Sequence, residues 1–109
     1  MTRSDDQTTI ELRENGRMLA AADVRPAEEP GVVRSDLHVE SGQLPEGTRT
    51  RLVDAVLDLP QVDEAQRLVA TMPISDTEML DRVRERADEV QARAAGATKI
   101  VEARLEPPS

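Results

Sequence analysis

The chain has 109 residues, 14 of them basic and 22 acidic, for a formal net charge of −8, and it contains no Cys, Phe, Tyr or Trp. That composition excludes disulfide frameworks, thiolate chemistry, cysteine zinc sites and base stacking on aromatic rings. The acidic balance excludes a broad electrostatic footprint for nucleic acid or anionic membrane.

Leu, Val and Ile together number 24, just above the ~20% below which a highly charged chain stays disordered. A core must therefore come from aliphatic side chains and Ala, and self-association is an expected supplement to stability. The start, MTRSDDQTT, lacks the apolar centre of a signal peptide, and no apolar run approaches the roughly 20 residues of a membrane span. With no cysteine, a cytoplasmic location is expected. One domain over residues 8–105 is expected, with polar tails at 1–7 and 106–109.

Thr9 to Glu14 and Arg17 to Arg25 read as strands around Asn15-Gly16, a hairpin signal because both turn positions need positive φ. The run Met18 to Ala22 has helical propensity, but the preceding turn and Pro26 favour a strand. Residues 26–31 hold two prolines, two glutamates and a glycine and read as a loop. From Val33 the alternation is clean, with Val33, Ser35, Leu37 and Val39 on one face and Arg34, Asp36, His38 and Glu40 on the other.

After a turn from Ser41 to Gly47, Leu52, Val53, Val56, Leu57 and Leu59 recur at helical spacing, and Pro60 is expected to stop that helix. Arg67 to Met72 reads as a strand closed by Pro73. Ser75 to Glu78 has the form of a capping box, which predicts a helix with the apolar stripe Met79, Leu80, Val83, Ala87, Val90 and Ala94. Glu78 with Arg82 and Glu89 with Arg93 have the spacing of ion pairs on its wet face. Gly96 suits a left-handed cap, and Thr98 to Leu105 reads as a closing strand.

The expected class is α/β (α+β), a mixed sheet with the order βββαβαβ. A ferredoxin-like α+β sandwich uses a similar inventory with other connections. The strings GRMLAAADV, SDLHVESG and LVDAVLDL, in this order, resemble the central strand, the strand entering the coenzyme A loop and the following helix of the acyl-CoA N-acyltransferase (GNAT) superfamily. The resemblance covers residues 9–105 and lacks that fold's first strand and early helices. It implies a splay between the strands that hold Val39 and Leu68, beginning beyond Glu40.

The family's loop carries Gln or Arg, two residues, Gly, one residue, then Gly or Ala. Aligned here, those positions are Leu44, Gly47 and Arg49, so one of three matches, and Pro45 removes a backbone donor. By the resemblance, Gly47, Thr48, Arg49, Thr50 and Arg51 are the candidate cofactor-binding residues, with acetyl-CoA or another acyl-CoA as the ligand. The preferred reading is an ordinary solvated first helical turn that holds no cofactor, with the acyl-CoA site as the alternative. The family's helix-opening Asn and general-acid Tyr fall on Asp76 and Val83, and valine transfers no proton.

Asp36, His38 and Glu40 share one strand face, where a base can stand. The two carboxylates favour a charged His38 only if they are close and dry. Strand neighbours on one face lie roughly 6 to 7 Å apart, which makes a poor metal chelate, so no metal is expected. A polar, solvated surface is the simpler reading of the three.

Two functions follow as expectations. The first is a GNAT-like domain without acyl transfer, acting as a binding or oligomerising module. It is expected to form a homodimer through the strands at Thr9 to Arg25 or Thr98 to Leu105, with no nucleic acid or membrane partner. The alternative is a minimal acyltransferase that holds acyl-CoA between Glu40 and Arg67, with Glu40 or His38 as base.

Overall fold

The computed structural model of the protein describes residues 7–105. Six strands make one sheet: β1 (Thr8–Glu14), β2 (Arg17–Pro26), β3 (Val32–Val39), β4 (Arg67–Pro73), β5 (Val90–Ala95) and β6 (Thr98–Arg104). Between them lie the helices α1 (Thr48–Leu57), α2 (Pro60–Asp63) and α3 (Glu78–Arg86). The spatial order is β1-β2-β3-β4-β6-β5. Only β3 and β4 pair in parallel; the other neighbours are antiparallel.

The β1–β2 turn has Asn15 at φ 53° and Gly16 at φ 80°, the two positive values that the Asn-Gly signal requires. Alternation along β3 holds as well, with Val33, Ser35 and Leu37 buried and Arg34, Asp36 and His38 exposed. The buried positions join Ala20, Ala22 and Val24 of β2, Leu68, Ala70 and Met72 of β4, and Val101 and Ala103 of β6 on one face of the sheet. Leu52, Val53 and Val56 of α1, Val62 of α2 and Met79 and Val83 of α3 pack on that face. Five buried alanines (Ala20, Ala22, Ala65, Ala70, Ala103) take part, so the core is close-packed from small pieces, without aromatic rings.

The inner stripes of α1 and α3 meet, and a charged clamp closes their outer side. Arg82 donates to Asp54 from Nε (2.8 Å) and Nη2 (3.1 Å), and Arg86 bridges Asp54 (3.1 Å) and Asp58 (2.9 Å). The Arg82 guanidinium holds the Asp54 carboxyl below its ordinary pKa; burial opposes this, and the bond from Arg86 adds to it.

Several sequence expectations need correction. Helix α3 ends at Arg86, not Ala94: Ala87 is already extended (φ −120°, ψ 163°), and residues 90–95 form β5 against β6. The alanines of that segment favour a helix by propensity, but pairing with β6 overrides so weak a preference. Gly96, at φ 68°, is therefore a hairpin residue between paired Ala95 and Thr98, not a helix cap.

Neither expected i,i+4 pair forms. Arg82 turns to Asp54 and Glu85, where the Asp54 contact is bidentate, and Glu89 pairs with Arg104 at 3.2 Å. Pro60 follows the end of α1 as expected but also opens α2, a place that suits a residue without an amide donor. The element order is thus βββααβαββ. A sheet with this strand order and a single parallel pair is not the ferredoxin-like alternative.

The expected tails lie outside the described residues, except Gln7, which is exposed. Among the described residues, no helix is long and apolar enough to cross a membrane.

A cleft between the splayed strands

The parallel register of β3 and β4 runs from Val32↔Arg67 to Asp36↔Thr71 and stops there, although β3 continues to Val39 and β4 to Pro73. A bulge explains the parting. Pairing of β1 with β2 passes from Leu12↔Ala20 to Arg13↔Met18, which leaves Leu19 as an extra residue that bends β2. The end of β3 follows that bend, since the Glu40 amide donates to the Leu19 carbonyl at 2.9 Å. The end of β4 instead stays with β6, paired through Pro73↔Thr98.

The gap is a cleft of about 480 Å³, lined among others by Glu40, Ser41, Arg49, Pro73, Asp76 and Glu78. The N-termini of α1 and α3 both point toward it, a placement that favours negative charge. The chain supplies that charge itself. Asp76 is buried, with its side chain 3% exposed, and its Oδ1 accepts the Met79 amide at 2.9 Å in the first turn of α3. Its Oδ2 accepts Arg49 Nε at 2.7 Å. The buried Lys99 ammonium donates to the Asp76 carbonyl oxygen.

Asp76 is thus the side chain that caps α3. The expected Ser75–Glu78 capping box is not formed, since Glu78 instead accepts from Thr50 Oγ1 at 3.3 Å.

At α1, Gly47 takes φ 87°, a conformation that lets the loop enter the helix without side-chain strain. Thr48 is buried and donates from both its amide (3.2 Å) and its Oγ1 (2.7 Å) to the Pro45 carbonyl, so neither group faces a ligand. The Arg51 amide bonds to Gly47 and its side chain is exposed. Of the five candidate residues, Arg49 reaches the cleft wall, and it is held by Asp76.

Of the three candidate bases, one reaches the cleft lining. Glu40 lines the cleft. His38 and Asp36 lie on the open sheet face, where His38 Nε2 stands 3.0 Å from Glu40 in solvent and Asp36 pairs with Arg25 at 3.3 Å. The His38 side chain is 64% exposed, so the two neighbouring carboxylates do not enclose it. Arg67 pairs with Val32 at the far end of β3, so the cleft runs from Glu40 to Asp76 and not from Glu40 to Arg67. Val83 is buried in the core and is not among the residues that line the cleft. Among the described residues, no group of three or more His, Cys, Asp or Glu side chains is placed to hold a metal ion.

Sequence reasoning missed the Arg49–Asp76 bridge. The partners are 27 positions apart, and no local pattern joins them.

A mixed sheet with a splayed central parallel pair and a helix following each splayed strand is the scaffold of the acyl-CoA N-acyltransferase (GNAT) superfamily, and this chain has that fold. It is similar to the GNAT-family acetyltransferase of Streptococcus pneumoniae, with a TM-score of 0.66 and 12% identity over 94% of this chain and 69% of the other. It is similar also to the ribosomal-protein-alanine N-acetyltransferase of Brucella melitensis, with a TM-score of 0.63 and 11% identity over 93% and 70% of the two chains. The diaminobutyrate acetyltransferase of Paenibacillus lautus, solved with L-2,4-diaminobutyric acid and coenzyme A, matches with a TM-score of 0.65 and 10% identity over 89% and 69%. The remainder of each of those proteins has no counterpart among these 109 residues. No family model matches the sequence, and no curated protein does so either.

Proposed function

We propose that this GNAT-fold domain does not transfer acyl groups and works as a self-associating module that binds a ligand or protein partner in the cytoplasm. One observation carries the reading. The cleft that a pyrophosphate would occupy is lined by the carboxylates of Glu40, Asp76 and Glu78, and the one arginine among its described lining residues, Arg49, is bound to Asp76 at 2.7 Å. An incoming acyl-CoA would meet this excess of negative charge and would have to displace a charge-assisted bond.

The Arg49 side chain also stands where the loop motif needs a small residue, and Val83 stands where the motif needs a proton donor. General acid catalysis is typically worth about 10² to 10⁴ in rate, so its loss together with the cofactor grip removes turnover.

Titration calorimetry with acetyl-CoA, run on the native chain and on Arg49→Gly, tests this reading. The native chain is expected to give no saturable heat and to release no free coenzyme A with amine acceptors. Weak binding that appears only in Arg49→Gly supports the view that Arg49 blocks the loop. Tight binding by the native chain that is lost in the variant overturns the blocked-loop reading of Arg49, and acceptor-dependent release of coenzyme A overturns the proposal and restores the minimal acyltransferase with Glu40 or His38 as base.

A further inference from the structure

The sheet face turned away from the helices carries an ordered charge pattern. Across β2 and β3, Asp23 stands directly opposite Asp36, and on the next rung of that face Arg25 stands directly opposite Arg34. Like charges directly opposite on paired strands are destabilising, and here two successive rungs carry them, one acidic and one basic. The diagonal Arg25–Asp36 pair at 3.3 Å and the Thr9 bond to Asp23 at 3.0 Å offset part of this. Arg34 is exposed and has no hydrogen-bond or ion-pair partner among the described residues. Beside these rungs a concavity of about 640 Å³ is floored in part by Val69 and Ile100, which are half-buried with no described helix over them.

We propose that this open face is the contact between two copies of the chain, stacked about a two-fold axis that crosses the strands between the acidic and basic rungs. This rests on the self-association part of the reading above and names its surface. Such an axis lays β2 on β2 and β3 on β3 with their directions reversed, so each acidic rung meets a basic one. An axis along the strands would instead set like charge on like. The pattern therefore selects one orientation of a self-complementary interface. Stacked sheets lie roughly 10 Å apart, a gap that facing arginine and aspartate side chains can bridge. Arg34 then reaches Asp36 of the second copy, and Val69 and Ile100 gain cover.

Charge reversal tests the surface. In Arg34→Asp, position 34 faces the second copy's Asp36, and in Asp36→Arg, position 36 faces the second copy's Arg34. Each variant alone is expected to raise the dimer dissociation constant roughly 100-fold. An equimolar mixture is expected to recover native affinity, because each new aspartate then faces a new arginine and each remaining Asp36 an Arg34. Recovery in the mixture also shows that both variants fold.

Light scattering with refractive-index detection suits a chain that lacks Trp and Tyr. A native chain that stays monomeric at high concentration overturns both the surface and the self-association. Variants that dimerise like the native chain, or a mixture no tighter than its components, overturn the surface alone.

Discussion

Replacing Asp76 by Ala tests whether the cleft is held shut by the chain's own charges. The carboxylate caps α3 through the Met79 amide and binds the Arg49 guanidinium, while only 3% of its side chain meets solvent. Loss of a capping side chain costs about 1 kcal/mol, and loss of a hydrogen bond to a charged group about 1.5 to 3 kcal/mol. Arg49 is 34% exposed, so it can be rehydrated, and the total falls toward the low end of the ~3 to 5 kcal/mol seen for broken buried pairs. A loss of ~2 to 4 kcal/mol is therefore expected.

Asp76→Asn keeps an oxygen for the Met79 amide and is expected to lose about half as much. Urea unfolding followed by circular dichroism at 222 nm reads these values, since the chain has no fluorescent ring. In a double-mutant cycle with Arg49→Ala, a coupling of ~1 to 3 kcal/mol is expected. Additive single effects, or an Asp76→Ala cost below about 0.5 kcal/mol, which is within the range of ordinary surface substitutions, would refute the bridge.

Three further outcomes are expected. The Asp54 carboxyl titrates below its ordinary 3.8 because Arg82 bonds its charged form. Its stabilising contribution is thus complete above that value and is lost as pH falls through the lower folded pKa. Urea midpoints of the native chain and Asp54→Asn should differ at pH 7 and converge as the solution is taken below pH ~3.8; a constant difference would refute the assignment.

The Ser35 hydroxyl is buried in the core face of β3 with no hydrogen-bond partner among the described residues. Ser35→Ala should therefore raise stability by ~1 kcal/mol in the same assay, and a loss would show a partner in solution. Leu52 of α1 is fully buried, and Leu52→Ala should cost about 2 to 5 kcal/mol; a cost under 1 kcal/mol would place α1 off the core.

How much was legible in the sequence depended on how local each cause was. The Asn15-Gly16 turn needs only two residues that tolerate positive φ, and the alternation from Val33 to Val39 needs only one wet face and one dry one. The apolar stripe of α1 needs only its own spacing, and all three were readable from adjacent residues. The family's order of elements followed from them, and so did the weak match of its loop at Leu44, Gly47 and Arg49. The segment from Val90 to Ala95 shows the limit, because its alanines favour a helix and it becomes a strand only through β6, which follows it in the chain.

The candidate site depended still more on tertiary structure. Arg49 read as a first-turn cation open to an anion, and Asp76 as a helix-opening residue. The fold brings the N-termini of α1 and α3 to one cleft and joins the two side chains there. The parting of β3 from β4 has a similar origin in the bulge at Leu19, which no neighbour in sequence announces. Hydrophobic spacing and turn chemistry act within a few residues, so the sequence by itself determined the elements from β1 to α1 together with β4 and β6, but neither α2 nor β5. Charge pairing and strand register act between distant segments, so only the tertiary structure decided which charges meet and which face of the sheet stays open.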